Sequence, residues 1–146
     1  MSKPILFVDD EPYYARHSVE SLQKAGHDVV LEESAESGLV YLRDNACSLG
    51  LVIFDYMMPT PKGVPEADTL DGLATGRWFL RQARELLESY NLPVLILTNR
   101  NVETVATEIG EFALMKVGKL IRVRHKTQTP RSSLPAIVGQ ILFRSE

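Results

Sequence analysis

Cysteine is almost missing from this chain: Cys47 is the only one in 146 residues. A single thiol makes neither an internal disulfide nor a Cys-rich zinc site, and it fits a reducing compartment. The three histidines, His17, His27 and His125, are scattered, so no histidine metal trio is evident. Unbroken apolar runs do not exceed five residues, far below the ~20 that a membrane-spanning helix requires. Only Ile5-Leu6-Phe7-Val8 precede Asp9 as an apolar segment, too short for the core of a secretory leader. Positive charge is not in excess either: 16 basic residues face 19 acidic ones, for a net charge of −3. Such a balance gives no general attraction to a nucleic acid backbone. These absences predict a cytoplasmic protein with no membrane anchorage and no direct DNA binding.

What remains is ordinary globular composition, 45% apolar and 24% charged. The length buries enough surface to fold without disulfide or metal staples. It predicts one domain over residues 1–146, with no output domain after the last helix.

Short apolar runs alternate with longer amphipathic ones. Ile5-Leu6-Phe7-Val8, Leu51-Val52-Ile53-Phe54 and Val94-Leu95-Ile96-Leu97 are apolar throughout, the pattern of central parallel strands covered on both faces. Val29-Val30-Leu31 and Leu120 to Arg124 are less uniform and read as marginal strands, with Arg122 and Arg124 on one face of a protected edge. Helices are predicted from Pro12 to Ala25, from Ser34 as N-cap to Asp44, from Asp71 to Tyr90, from Val102 to Val117, and through Leu134, Ile137, Val138, Ile141 and Leu142. The third carries Leu73, Phe79, Leu80, Ala83, Leu86 and Leu87 as its inner stripe, with Trp78 as packing. Pro59 to Leu70 has loop composition. Strands alternating with helices imply right-handed crossovers and a doubly wound α/β sandwich. Ligands in such folds gather outside the carboxyl ends of the strands.

At those ends the sequence places Asp9-Asp10-Glu11, Asp55, Thr98 and, just past the last strand, Lys126. Two carboxylates about 4 Å apart repel by roughly 4 kcal/mol at an effective dielectric of 20. Asp9, Asp10 and Asp55 together therefore call for a cation or raised pKa values. Hard oxygen donors and a partly open shell suit Mg2+. Lys126 and Thr98 supply an ammonium and a hydroxyl for an incoming anion. Asp55 is then a natural nucleophile for a phosphoryl group.

The strings Ile5 to Pro12, Val52-Ile53-Phe54-Asp55-Tyr56-Met57-Met58-Pro59 and Val94 to Thr98, closed by Lys126, together resemble the receiver domain of two-component response regulators. The resemblance spans almost the whole chain. It implies a flavodoxin-like, five-stranded parallel sheet in the order 2-1-3-4-5 and a stand-alone receiver. It implies Asp55 as phosphoacceptor, Asp10 and Asp55 as direct Mg2+ ligands, Asp9 as a ligand through water, and the backbone carbonyl of Met57 as a further ligand. Lys126 would contact the phosphoryl group and Thr98 would swing toward it. The implied partners are a sensor histidine kinase or phosphotransfer protein and a downstream protein in trans; homodimerisation is left open. The chemistry would stop at its own phosphorylation and dephosphorylation.

The pattern departs in four places. Asp71-Gly72-Leu73 follows an inserted stretch with Pro61, Pro65, Glu66 and Asp68, readable as a lid or docking loop beside Asp55 or as a solvated excursion. Thr127 stands where the family has a proline, Val123 where it has an aromatic switch residue, and the segment from Thr98 to Lys126 is long. Met57 and Arg100 flank the path by which water reaches the acceptor in the family; Arg100 reads either as a phosphoryl or partner contact or as a plain surface charge. These departures support an alternative: a degenerate pseudo-receiver that binds proteins without phosphorylation. A flavodoxin-like cofactor binder is disfavoured because Asp9-Asp10-Glu11 would repel a cofactor phosphate. A haloacid-dehalogenase-like phosphatase would need an Asp-x-Asp on the first strand, which is absent.

Overall fold

The wholly apolar runs become strands that expose neither face. The computed structural model describes residues 3–113, 120–130 and 132–145. β1 (Ile5–Val8), β3 (Leu51–Asp55) and β4 (Val94–Thr98) are buried at every position. β2 (Val29–Glu32) and β5 (Ile121–His125) are less buried. They form the margins of one parallel sheet ordered β2-β1-β3-β4-β5, the order that the receiver-domain resemblance implies. On β5, Arg122 and Arg124 are exposed between half-buried Ile121 and Val123, as an edge strand requires.

Alternation along the strands divides the core into two layers. Ile5, Phe7, Leu51, Ile53, Leu95 and Leu97 face α1 (Pro12–Lys24) and α5 (Leu134–Ser145), meeting Leu22 and Val138. Leu6, Val8, Val52, Phe54 and Ile96 face the opposite layer of α2 (Ala35–Asn45), α3 (Thr75–Ser89) and α4 (Val102–Glu108), meeting Leu42, Phe79 and Val105. Local signals set the helix ends. Pro12 opens α1, and Gly26 leaves it at φ 97°, a conformation that costs glycine little. The Ser34 hydroxyl accepts from the Ser37 N–H at 3.1 Å and caps α2. Among the described residues, no helix is long and apolar enough to cross a membrane.

Three predicted boundaries are corrected. The third helix starts at Thr75, not Asp71, because Leu70, Asp71 and Gly72 adopt φ values of 50°, 56° and 88°. Leu73 is therefore half exposed rather than part of the inner stripe. The fourth helix ends at Glu108 and gives way to a 3-10 turn at Gly110–Phe112. Its expected continuation to Val117 lies beyond Ala113, outside the described residues. The last strand begins at Ile121 and takes in His125.

The first turn of α3 packs almost without clearance on β3. A Cβ built on Gly76 would lie 2.6 Å from Tyr56 Cδ1, 2.9 Å from Phe54 Cε2 and 2.9 Å from the Tyr56 Cα. The Gly76 N–H donates to the Tyr56 carbonyl at 2.8 Å, fixing that approach. Gly76→Ala gains about 1 kcal/mol of helix propensity, but overpacking against backbone costs about 1–3 kcal/mol. A net loss of stability is expected in urea denaturation; a rise in the midpoint would show that α3 has room to move.

Candidate functional site

Strand register brings the predicted residues to one edge. Val8 is level with Phe54, Asp55 with Leu97, and Thr98 with His125, so Asp9, Asp55, Thr98 and Lys126 leave the sheet on the same side. One carboxylate oxygen from each of Asp9, Asp10 and Asp55 lies within 4.8 Å of the others. The Lys126 ammonium stands 3.0 Å from Asp55 Oδ2 and 3.1 Å from Asp9 Oδ2, with Glu11 Oε1 at 3.5 Å. The Tyr14 ring closes one side, its centroid 4.5 Å from Nζ. Asp9 and Thr98 are fully buried, and Asp55 and Lys126 are only 2% and 6% exposed.

Each strand-end side chain is held by a short local turn. Asp9 Oδ1 accepts from the Glu11 N–H at 2.9 Å, and Asp55 Oδ1 from the Met57 N–H at 3.2 Å. Thr98 Oγ1 accepts from the Arg100 N–H at 2.9 Å. Asp and Thr form such turns to the amide two residues on, which explains these residue types at strand ends. Lys126 sits in a 3-10 turn, Lys126–Gln128, with Thr127 in the place of the expected proline.

Burial dominates the electrostatics. It raises the Asp55 carboxyl from an ordinary 3.8 to about 7; Lys126 opposes the rise and Asp9 adds to it. Asp9 and Asp10 are also raised, chiefly by burial. Burial disfavours the charge on Lys126, yet Asp55 and Asp9 outweigh it and push the amine up to about 12. Two buried carboxylates, Asp9 and Asp55, thus share one ammonium, with half-buried Asp10 and exposed Glu11 at the rim. An all-oxygen set of this kind fits Mg2+ better than a metal that prefers nitrogen or sulfur.

A second polar group, missed in the sequence, borders the first. Tyr56 is fully buried, and its hydroxyl donates to Glu108 Oε1 at 2.8 Å. Arg100 donates to both Glu108 oxygens, at 2.8 and 2.7 Å, and to the Leu73 carbonyl at 3.1 Å. Burial and the bond to Glu108 raise the Tyr56 phenol, while the Arg100 bonds hold Glu108 below its ordinary range. Arg100 is therefore neither a plain surface charge nor aimed at Asp55; it ties the end of α4 to the segment before α3, and Tyr56, just past β3, joins through Glu108. Arg100 and Glu108 stand eight apart, off helical pairing spacing, and Tyr56 reads as one more apolar strand residue. No sequence signal marks the trio.

The inserted stretch is pinned at its root. Thr69 is buried, and its hydroxyl lies 2.7 Å from that of Thr60 and accepts from the Gly72 N–H at 3.2 Å. Thr75 Oγ1 donates to the Met58 carbonyl at 2.6 Å. Lys62, Gly63 and residues 65–68 remain exposed on this anchored base.

Two predictions follow from these charges. Between pH about 4 and 7, folded Asp55 holds a proton that the unfolded chain has released, so it lowers stability as pH rises through that window. Asp55→Asn is expected to be about 1–3 kcal/mol more stable than the parent at pH 8 without metal, and about equal at pH 4. Urea midpoints at both values check this; an Asn variant less stable at pH 8 contradicts it. For the second group, Tyr56→Phe should cost about 1 kcal/mol and Glu108→Gln about 1–3 kcal/mol. Their double variant should lose less than the sum, because the two share a bond. Strict additivity in the cycle would contradict the network.

No family model and no curated protein matches the chain. Solved structures do. The receiver domain of the hybrid histidine kinase CckA is 24% identical with a TM-score of 0.64, over 95% of this chain and 98% of that one. The Francisella response regulator 1452 receiver domain is 17% identical with a TM-score of 0.69, over 99% and 100%. A response regulator receiver protein from Sinorhizobium medicae WSM419 is 21% identical with a TM-score of 0.70, over 99% and 98%. At these identities the likeness is one of fold, and over nearly its whole length this chain has the receiver-domain fold.

Proposed function

We propose that this chain is a single-domain phosphoaccepting receiver acting in two-component signal transduction. The observation that carries this reading is the convergence of Asp9, Asp10 and Asp55 within 4.8 Å, with Lys126 bonded to Asp55, on a receiver-type sheet edge. Asp9, Asp10, Asp55 and the Met57 carbonyl would hold Mg2+. When bound, that ion supplies positive charge that favours the ionised acceptor and offsets charge on the transferring oxygens. An Asp55 oxygen attacks phosphorus and forms an O–P bond. The bond from phosphorus to the donor, a phosphohistidine or an acyl phosphate, breaks, and its electron pair leaves with the donor. Lys126, already bonded to Asp55 and Asp9, would donate to the phosphoryl oxygens, and the Thr98 hydroxyl would turn to donate its own O–H to them. A sensor kinase or phosphotransfer protein supplies the group in the cytoplasm, and the output passes to a protein partner in trans rather than to DNA or a membrane.

Incubation with acetyl phosphate tests the reading. A mass gain of one phosphoryl group is expected with Mg2+, lost with chelator and in Asp55→Asn, and slowed about ten- to a hundredfold in Lys126→Met. Intact-protein mass spectrometry reads all three. If the parent takes up no phosphoryl group under any condition, the adaptor reading replaces this one.

A further inference from the structure

Three of the four strand ends at the site use an Asp or Thr side chain to accept the amide two residues on. The fourth uses a histidine. His125 Nδ1 accepts from the Thr127 N–H at 3.2 Å, and the Thr127 hydroxyl lies 2.7 Å from the same nitrogen. On the other side of the ring, Nε2 is 3.1 Å from the Asn99 carbonyl. A carbonyl only accepts and an amide N–H only donates. The ring must therefore carry its proton on Nε2 and keep Nδ1 bare.

We infer that His125, as the neutral Nε2-protonated ring, is a positioning residue for Lys126: it caps the turn that carries the ammonium and ties that turn to the loop after Thr98. The inference rests on the phosphoacceptor reading for its effect on chemistry, but its geometry stands apart. Lys126 is the first residue of a 3-10 turn and His125 is its N-cap. An uncapped first turn leaves its amides without partners. The cap also explains Thr127, since a proline there has no N–H to offer. Receiver-type proline and histidine cap are thus mutually exclusive solutions for the same turn. Through Asn99 the ring joins the β4 and β5 ends, already level at Thr98 and His125. The ammonium then reaches Asp55 and Asp9 over the Tyr14 ring.

Two substitutions separate the bonds. In His125→Asn the side-chain oxygen can form the turn that Asp9 and Asp55 form, without reaching Asn99. In His125→Gln the amide extends toward Asn99 and leaves the Thr127 N–H unpaired. The Tyr14 ring current should shift the Lys126 ε-methylene signal upfield, with Lys126→Arg identifying that signal. His125→Asn is expected to keep the shift and His125→Gln to lose most of it. Labelling by acetyl phosphate should fall about ten- to a hundredfold in His125→Gln and stay within about threefold in His125→Asn. In the unaltered protein, 15N shifts of the ring at neutral pH should report a bare Nδ1 and a protonated Nε2, a measurement that no folding defect can affect. A proton on Nδ1 overturns the inference, as does a Lys126 signal that is unmoved in His125→Gln. Should the parent not label at all, the phosphoacceptor reading fails, while the ring and lysine signals still decide the role of His125.

Discussion

One buried ammonium holds the site together. Lys126 sits between Asp55 and Asp9 with almost no exposure, while Asp10 adds a third carboxylate to the same cluster. Removing such charges from water is costly, and one lysine does not neutralise three acids. Burial, more than their mutual repulsion, raises the pKa values of all three. A protein selected for stability alone would fill this edge with apolar side chains. The site is instead kept short of positive charge, the condition in which a divalent cation binds best.

The sheet makes that condition possible. β1 and β3 are covered on both faces, so residues just past their ends are drawn out of water with them. Side chains at the four strand ends then bond to the amide two residues on, which fixes each functional group with respect to its own backbone. Behind them, Tyr56, Glu108 and Arg100 connect the end of β3 to α4 by hydrogen bonds. Val123, where the receiver pattern has an aromatic switch residue, packs on the same core layer. A polar and charged group thus sits beside the apolar packing of Phe54 and Val105 in this layer.

The fold was largely legible because its signals are local and redundant. Uninterrupted apolar runs announced doubly covered strands, Pro12 and Ser34 announced helix starts, and paired arginines announced the edge at β5. The acidic residues and Lys126 were legible as a set because a parallel sheet sends every strand end to one side. Failures came where tertiary contacts overrode local preference. Leu73 fits the α3 stripe by spacing, yet the left-handed backbone at Leu70, Asp71 and Gly72 holds it outside the helix. Arg100 and Glu108 pair from the two ends of α4, a spacing no helical periodicity describes, and Tyr56 joins them from just past β3. The bond from His125 Nε2 to the Asn99 carbonyl joins residues 26 apart in sequence, which no local pattern marks.

Paramagnetic broadening by Mn2+, a magnesium stand-in with the same taste for carboxylates, addresses the central claim without any phosphoryl donor. The account predicts that substoichiometric Mn2+ broadens backbone signals of Asp9 to Glu11, Asp55 to Met57 and Lys126 first, and that Mg2+ competes the effect away. Broadening spread over other surface acids, with the strand-end signals left sharp, would contradict it.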